Sequence, residues 1–153
     1  MSVHDSPVHI VVVGCLIRNE LGEILLIRHH RRGWEIPQGR VEAGEGIVDA
    51  LCREVREEAG IGIKPGPLAA IWSKVSPPAS LVLTFLADYL DGELTPSDET
   101  PELGWFTERD GLELVSHSVT RDRLRVLLSY SGKVAYYSYA TNPYKLLGSL
   151  GQP

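Results

Sequence analysis

The sequence predicts an α/β fold in a single domain. Three observations carry that expectation: two apolar, β-branched runs near the N-terminus, a window from Ile47 to Ala59 in which apolar residues recur every four positions, and a second succession of β-rich and helical stretches downstream. A chain of 153 residues, 43% hydrophobic and 23% charged, can build one core and is short for two. The expected domain covers residues 1–153, with its core over about 8–132 and a C-terminal tail over 133–153.

The elements follow in order. HIVVVGCLIRN (9–19) ends in the turn-like NELG, and EILLIRHH (23–30) follows at once, so the two runs read as an antiparallel pair. A loop region with Gly33, Pro37, Gln38 and Gly39 comes next, interrupted by the short apolar piece WEI (34–36). The period then changes. Ile47, Leu51, Val55 and Ala59 form a stripe able to face a sheet, and Gly60 suits the left-handed residue that closes a helix. PLAAIWSKV (67–75) and SLVLTFLADYL (80–90) read as two strands around a Pro77-Pro78 turn, and GWF (104–106) as a short one. SVTRDRLRVLLSY (118–130) has Val119, Leu124, Leu127 and Leu128 at mostly helical spacing, with Ser118 or Thr120 available as a cap. The tail carries Tyr136, Tyr137, Tyr139 and Tyr144, and either adds a strand to the body or covers a neighbour in a homodimer.

Composition narrows the partners. A net charge of −5 disfavours a general electrostatic grip on long nucleic acid or anionic lipid, so an anionic substrate has to be met locally, by a basic cluster or a bound cation. Cys15 and Cys52 have neither a CxxC partner nor a disulfide-scaffold spacing, which suits inert thiols in a reducing compartment. The opening MSVHDSPVH lacks the features of a secretory leader, and no apolar run reaches the roughly 18 residues of a membrane span. A soluble, cytoplasmic protein is the expectation.

The helical window also concentrates charge. At about 100° per residue, Glu54, Glu57 and Glu58 fall in one sector beside the apolar stripe. Two unit charges about 5 Å apart repel by under 1 kcal/mol in water but by several at the lower effective dielectric of a cleft. Arg53 and Arg56 compensate in part, since an exposed i,i+4 pair contributes only a few tenths of a kcal/mol. A hard divalent cation would turn the crowding into a binding site.

The spacing makes this specific. GRVEAGEGIVDALCREVREEAGI (39–61) resembles, position by position, the Nudix hydrolase signature Gx5Ex7REUxEExGU, where U is a bulky aliphatic residue. Gly39, Glu45, Arg53, Glu54, Val55, Glu57, Glu58, Gly60 and Ile61 occupy its fixed positions. The resemblance implies an α/β/α sandwich around a mixed sheet, the signature forming a loop, helix and loop, and hydrolysis of a nucleoside diphosphate linked to another group X with Mg²⁺ or Mn²⁺. Carried to matching positions, it assigns Glu54, Glu57 and Glu58 to the metals, with one of them available to take a proton from the attacking water. It assigns Arg53 to orienting a glutamate, Gln38 to offering its backbone carbonyl to a metal, and Glu45 to bracing the loop.

Outside the signature, SDETPELGWF offers Asp98, Glu99 and Glu102 as a further metal ligand or base. Glu99 is the first choice and Glu102 the second, although no spacing rule decides. RHHRRGWE (28–35) is the densest basic patch, and Arg31 and Arg32 there, with Arg40 after Gly39, are candidates to clasp phosphate. His29 and His30 titrate near neutrality in principle, but the further ligands of a zinc site are not evident. Trp34 and Trp72 are placed either to stack on a base or in the core. The form WEIPQGRVE resembles both sugar-nucleotide cleavers and the dinucleoside polyphosphate and RNA-cap pyrophosphohydrolases, and a proline at Pro77 or Pro78 resembles a mark of ADP-ribose pyrophosphatases. The expected substrate is therefore ADP-ribose or a related nucleoside diphosphate derivative. A nucleoside triphosphate or dinucleoside polyphosphate pyrophosphohydrolase is the alternative, and a catalytically silent nucleotide-binding module is the alternative from another class.

Overall fold

The structure, a computed structural model, describes residues 5–151. The stretch read for a leader begins outside these residues. Among the described residues one mixed sheet of nine strands is flanked by three helices. The strands are β1 (Ile10–Arg18), β2 (Ile24–His29), β3 (Gly33–Glu35), β4 (Gln38–Arg40), β5 (Ile61–Lys74), β6 (Ser80–Gly92), β7 (Glu102–Phe106), β8 (Ala135–Ala140) and β9 (Lys145–Leu150). The helices are α1 (Ile47–Ala59), α2 (Glu108–Leu114) and α3 (Ser118–Leu128). The main path runs β3-β2-β1-β6-β5-β8-β9, with β4 beside β1 and β7 beside β2. β1 with β6 and β5 with β8 are parallel pairs, and the remaining neighbours are antiparallel.

The period-2 alternation of the strands separates two cores. Val13, Cys15, Ile17, Leu25 and Ile27 turn to one face and pack with Leu51, Val55 and Ala59 of α1. Leu16, Ile24 and Leu26 turn to the other and pack with Val115, Leu124 and Leu127 at α2 and α3. Farther along that second face Trp72, Val82, Tyr137 and Tyr139 pack with Val119. An α/β/α sandwich results, as the signature implies.

Several expectations need correction. β1 and β2 are antiparallel but meet only at Arg18 opposite Ile24; beyond that the neighbours of β2 are β3 and β7, and those of β1 are β4 and β6. β5 starts at Ile61 rather than near 67, because register shifts around Pro65 and Leu68 absorb a Pro-Gly step that reads as a break. Ile47 is 41% exposed, so the apolar stripe of α1 engages the sheet from Ala50 onward. α3 starts at Ser118 after His117, and neither Ser118 nor Thr120 acts as its cap. The tail is not peripheral: β8 lies parallel to β5 and buries Tyr137 and Tyr139, so the core runs past 132. The short α2 was missed. Thr107 caps it by accepting the Asp110 N–H at 3.1 Å, and Gly111 inside it reads as a breaker.

Candidate active site

The site starts with backbone geometry. α1 ends at Gly60, whose φ of 77° supplies the left-handed cap. The last turn of α1 leaves carbonyls without intrahelical partners, and the loop after β6 satisfies two of them. The Thr95 N–H donates to the Ala59 carbonyl at 2.9 Å, and the Thr100 hydroxyl, fully buried, donates to the Glu58 carbonyl at 2.7 Å. Ser97 closes the loop on itself: its amide donates to the Thr100 carbonyl at 3.0 Å and its hydroxyl lies 2.7 Å from that of Thr100. His30, in the turn after β2, donates its N–H to the Glu99 carbonyl at 3.0 Å and ties the loop to the basic turn.

Those ties enclose a cavity of about 410 Å³ lined by Glu54, Glu57, Glu58, Ser97, Asp98 and Glu99. Arg53 organises the helical acids. Its guanidinium donates to Glu54 Oε1 at 2.9 Å, to Glu57 Oε2 at 3.2 Å and to Glu45 Oε2 at 2.6 Å, and through Nη2 to the Arg40 carbonyl at 3.1 Å. Glu45 also accepts the Glu42 N–H at 3.1 Å, which folds the signature loop onto Arg53 and matches the bracing role implied for it. The guanidinium holds the Glu45 carboxyl down at about 2.

Glu58 is different. It is buried, and its Oε2 accepts the Gln38 N–H at 3.3 Å. Burial, reinforced by the charges of Glu35 and Glu54, pushes its carboxyl up to about 9. Burial also raises Glu54, against the pull of Arg53. Gly39 leaves room for the Glu54 carboxylate, which a Cβ at this position would overlap and push aside.

The residues named from sequence divide clearly. Glu54, Glu57, Glu58 and Glu99 come together, and Asp98 joins them. Glu102 does not line the cavity; it starts β7 and pairs with Arg28 at 3.1 Å. Gln38 reaches Glu58 through its N–H. Arg32 is not a free phosphate clasp, since Nε and Nη2 grip both oxygens of Glu35 at 3.0 and 2.8 Å. The side chains of Arg31 and Arg40 are exposed. Trp72 is 1% exposed and stacks on Tyr137, so no base can reach it. Trp34 is half-buried, edge-on to Phe106, and packs in the core.

Sequence reading missed three contributors. Glu35 is 1% exposed, paired to Arg32 and close enough to raise Glu58. Its signal was an acid inside the apolar WEI. Ser97 and Thr100 had no signal beyond a polar loop.

The donor set suits a hard cation. Five carboxylates line the cavity, and among the described residues Arg53 is the only basic side chain within ion-pair distance of any of them. Among the same residues no three acids converge on a single point, because Glu54 and Glu57 turn to Arg53 and Glu58 to Gln38.

A mixed sheet between helical layers, with an acid-lined cavity at the end of α1, defines an α/β/α sandwich with a candidate cation site. Comparison with known proteins makes this particular. The NUDIX domain profile matches residues 8–125, and the chain belongs to that family. It is 34% identical over 116 residues to the 8-oxo-dGDP phosphatase NUDT18 of Danio rerio, a match spanning 71% of this chain and 35% of that protein. It is 30% identical over 106 residues to the Nudix hydrolase YvcI of Bacillus subtilis, covering 65% of this chain and 66% of the relative. A MutT protein from Bacillus halodurans superposes with a TM-score of 0.78 at 30% identity, over 92% of this chain and 96% of that one.

Proposed function

We propose that this protein hydrolyses a phosphoanhydride bond in a nucleoside diphosphate, free or linked to another group, with Mg²⁺ or Mn²⁺. The observation that carries this reading is the cavity itself, five carboxylates facing one solvent-filled space with a single guanidinium against them. Such a surface repels a pyrophosphate unless cations intervene. Glu54, Glu57 and Glu58 would hold the ions, with Glu99 and the Gln38 carbonyl as further oxygen donors. A bound divalent ion supplies neutralisation of phosphate charge and a more acidic water.

The chain's own residues set the rest. Arg53 fixes Glu54 and Glu57 in one orientation, and Glu45 fixes Arg53. Glu58, pushed up to about 9 by burial, holds a proton at neutral pH, and with Oε2 accepting the Gln38 N–H that proton belongs on Oε1. Glu99 faces the cavity from a loop bound to both α1 and the basic turn, which suits a group that takes a proton from water.

For the group beyond the diphosphate, ADP-ribose remains a candidate, but Pro77 and Pro78 sit in the turn between β5 and β6 and do not line the cavity. The relatedness to 8-oxo-dGDP phosphatases favours an oxidised purine nucleoside diphosphate as the second reading. The test is phosphate release from 8-oxo-dGDP, dGDP, ADP-ribose, diadenosine polyphosphates and nucleoside triphosphates, with coupled phosphatase where needed, in Mg²⁺, in Mn²⁺ and in excess chelator. Chelator-sensitive turnover on at least one diphosphate is expected. Glu57→Gln should cut it by at least about a hundredfold with the fold intact, since the Glu57 side chain is largely exposed. Turnover that survives chelator, or nucleotide binding without turnover on any compound, would overturn the proposal.

A further inference from the structure

The turn between β2 and β3 is tied to the cavity in two directions. His30, Arg31 and Arg32 form a short loop closed by Gly33 at a φ of 82°, with His29 and Gly33 opposite each other in the sheet. In one direction the His30 N–H donates to the Glu99 carbonyl at 3.0 Å, and the His30 ring Nδ1 lies 3.3 Å from the same oxygen. In the other, Arg32 grips Glu35 through Nε and Nη2, Glu35 Oε2 accepts the Gln38 side-chain amide at 3.5 Å, and the Gln38 N–H donates to Glu58. One short turn therefore connects the loop of Glu99 with the last turn of α1.

A single side chain holds that turn. Period 2 along β2 places His29 after Leu25 and Ile27 on the side of the sheet that α1 covers, and the residue is only 9% exposed. Its Nδ1 accepts the Arg31 N–H at 3.2 Å and the Arg32 N–H at 3.4 Å. Asp, Asn and Ser close such turns in the same way, by a side-chain oxygen at the first position. The imidazole does so while filling buried space, and an Nδ1 that accepts leaves the ring proton on Nε2. The His30 ring lies against it, centroids 4.5 Å and planes 32° apart, so His29 sets both the backbone and the side chain that meet Glu99.

We infer that His29 is a positioning residue for the hydrolysis proposed above: by accepting two amides it fixes the turn, and the turn holds the loop that carries Glu99 at the cavity. The inference rests on that reading of the cavity. Ser97 and Thr100 bond the loop to itself and to α1, but it is His30 that meets the Glu99 carbonyl. His30, Arg31 and Arg32 are exposed, so their geometry depends on hydrogen bonds rather than on burial, and segments of that kind open most readily. Loss of Nδ1 therefore loosens the turn first, and Glu99 with it.

Substitutions at His29 separate the two ring nitrogens. The amide oxygen in His29→Asn falls near the place of Nδ1, the amide nitrogen in His29→Gln near that of Nε2, and His29→Leu keeps the bulk with neither. On the nucleotide of the panel above that turns over fastest, His29→Gln and His29→Leu should lower kcat at least about tenfold with KM within about threefold, and His29→Asn should restore most of the rate. Amide exchange followed by NMR reads the same tie without turnover. The His30 N–H should exchange at least about fivefold faster in His29→Gln and His29→Leu and near the wild-type rate in His29→Asn, with circular dichroism showing the fold intact. Should His29→Leu fail to fold, His29→Gln carries the test, because it keeps a polar side chain of similar reach. Unchanged kcat or unchanged exchange in His29→Gln overturns the inference, and so does a loss in His29→Asn as large as that in His29→Leu. A wild type without chelator-sensitive turnover would instead remove the proposed reaction, and the exchange rates alone would then decide whether His29 holds the turn.

Discussion

Thr100→Val isolates the tie between α1 and the loop that carries Glu99. The two side chains are nearly the same shape, so packing is kept, but the hydroxyl that donates to the Glu58 carbonyl at 2.7 Å and contacts the Ser97 hydroxyl at 2.7 Å is lost. Thr100 is fully buried, so water does not replace it. An unsatisfied buried carbonyl costs about 1–3 kcal/mol, and the second contact adds to this, so about 2 kcal/mol is expected. For a domain of this size each kcal/mol moves the melting temperature by about 2–4 °C, giving a fall of roughly 4–8 °C. The loop also positions Glu99, and a displacement of about 1 Å at a reacting group can cost up to a hundredfold. kcat should therefore fall by about ten- to a hundredfold with KM nearly unchanged, and Thr100→Ser should restore most of it. Urea titration and steady-state kinetics on the same preparations decide. Stability within about 0.5 kcal/mol of wild type would refute the capping role, and lost stability with unchanged kcat would detach Glu99 from the chemistry.

Other substitutions test other links. Gly39→Ala puts a methyl where the Glu54 carboxylate lies and must turn that carboxyl aside; turnover should fall at least tenfold with little loss of stability, read by hydrolysis and thermal melting. Gly111→Ala places a Cβ 2.8 Å from Ile24 Cδ1 across the α2–β2 contact and should lower the melting temperature by several degrees with little effect on kcat. Glu45→Gln tests the depressed carboxyl. A group whose folded pKa lies below its unfolded value stabilises the fold above the unfolded value, near 4.5, and loses that contribution as pH falls toward about 2. The stability gap between wild type and Glu45→Gln, measured in urea, should be full at pH 6 and shrink steadily below about pH 4.5. A gap independent of pH would assign Glu45 a packing role instead.

Local patterns carried most of the helix and strand assignments because α1, β1 and β6 each have a clear period and a clear stop. The signature located three of the five cavity acids for the same reason: Glu54, Glu57 and Glu58 share a helix face by arithmetic alone. What stayed hidden depends on distant pairing. Glu99 and Glu102 are equivalent in a string, yet the loop ties at Thr95, Thr100 and His30 turn Glu99 inward, and β7 pairing with β2 gives Glu102 to Arg28. Arg32 looked like a free cation until the sheet brought Glu35 beneath it. Trp72 was ambiguous until β8 laid Tyr137 over it, a contact made by residues more than sixty positions apart.

The acid cluster is tolerated in three different ways, and the difference sets how an ion binds. Glu54 and Glu57 share the single positive charge of Arg53 with Glu45, which offsets their repulsion in part, and an ion approaching them competes with that guanidinium. Glu58 is neutralised by its own proton, because burial makes the charged form costly and no basic side chain reaches it. Asp98 and Glu99 face the open side of the cavity, where water screens their charge. Holding a cation here would require Glu58 without its proton and Glu54 and Glu57 turned from Arg53, and cation affinity should rise with pH more steeply than Glu54 and Glu57 alone require. The same arrangement keeps the fold stable while the site waits. Were Glu58 ionised beside Glu54 without a partner, the repulsion would fall on the last turn of α1, the turn that Thr95 and Thr100 hold closed.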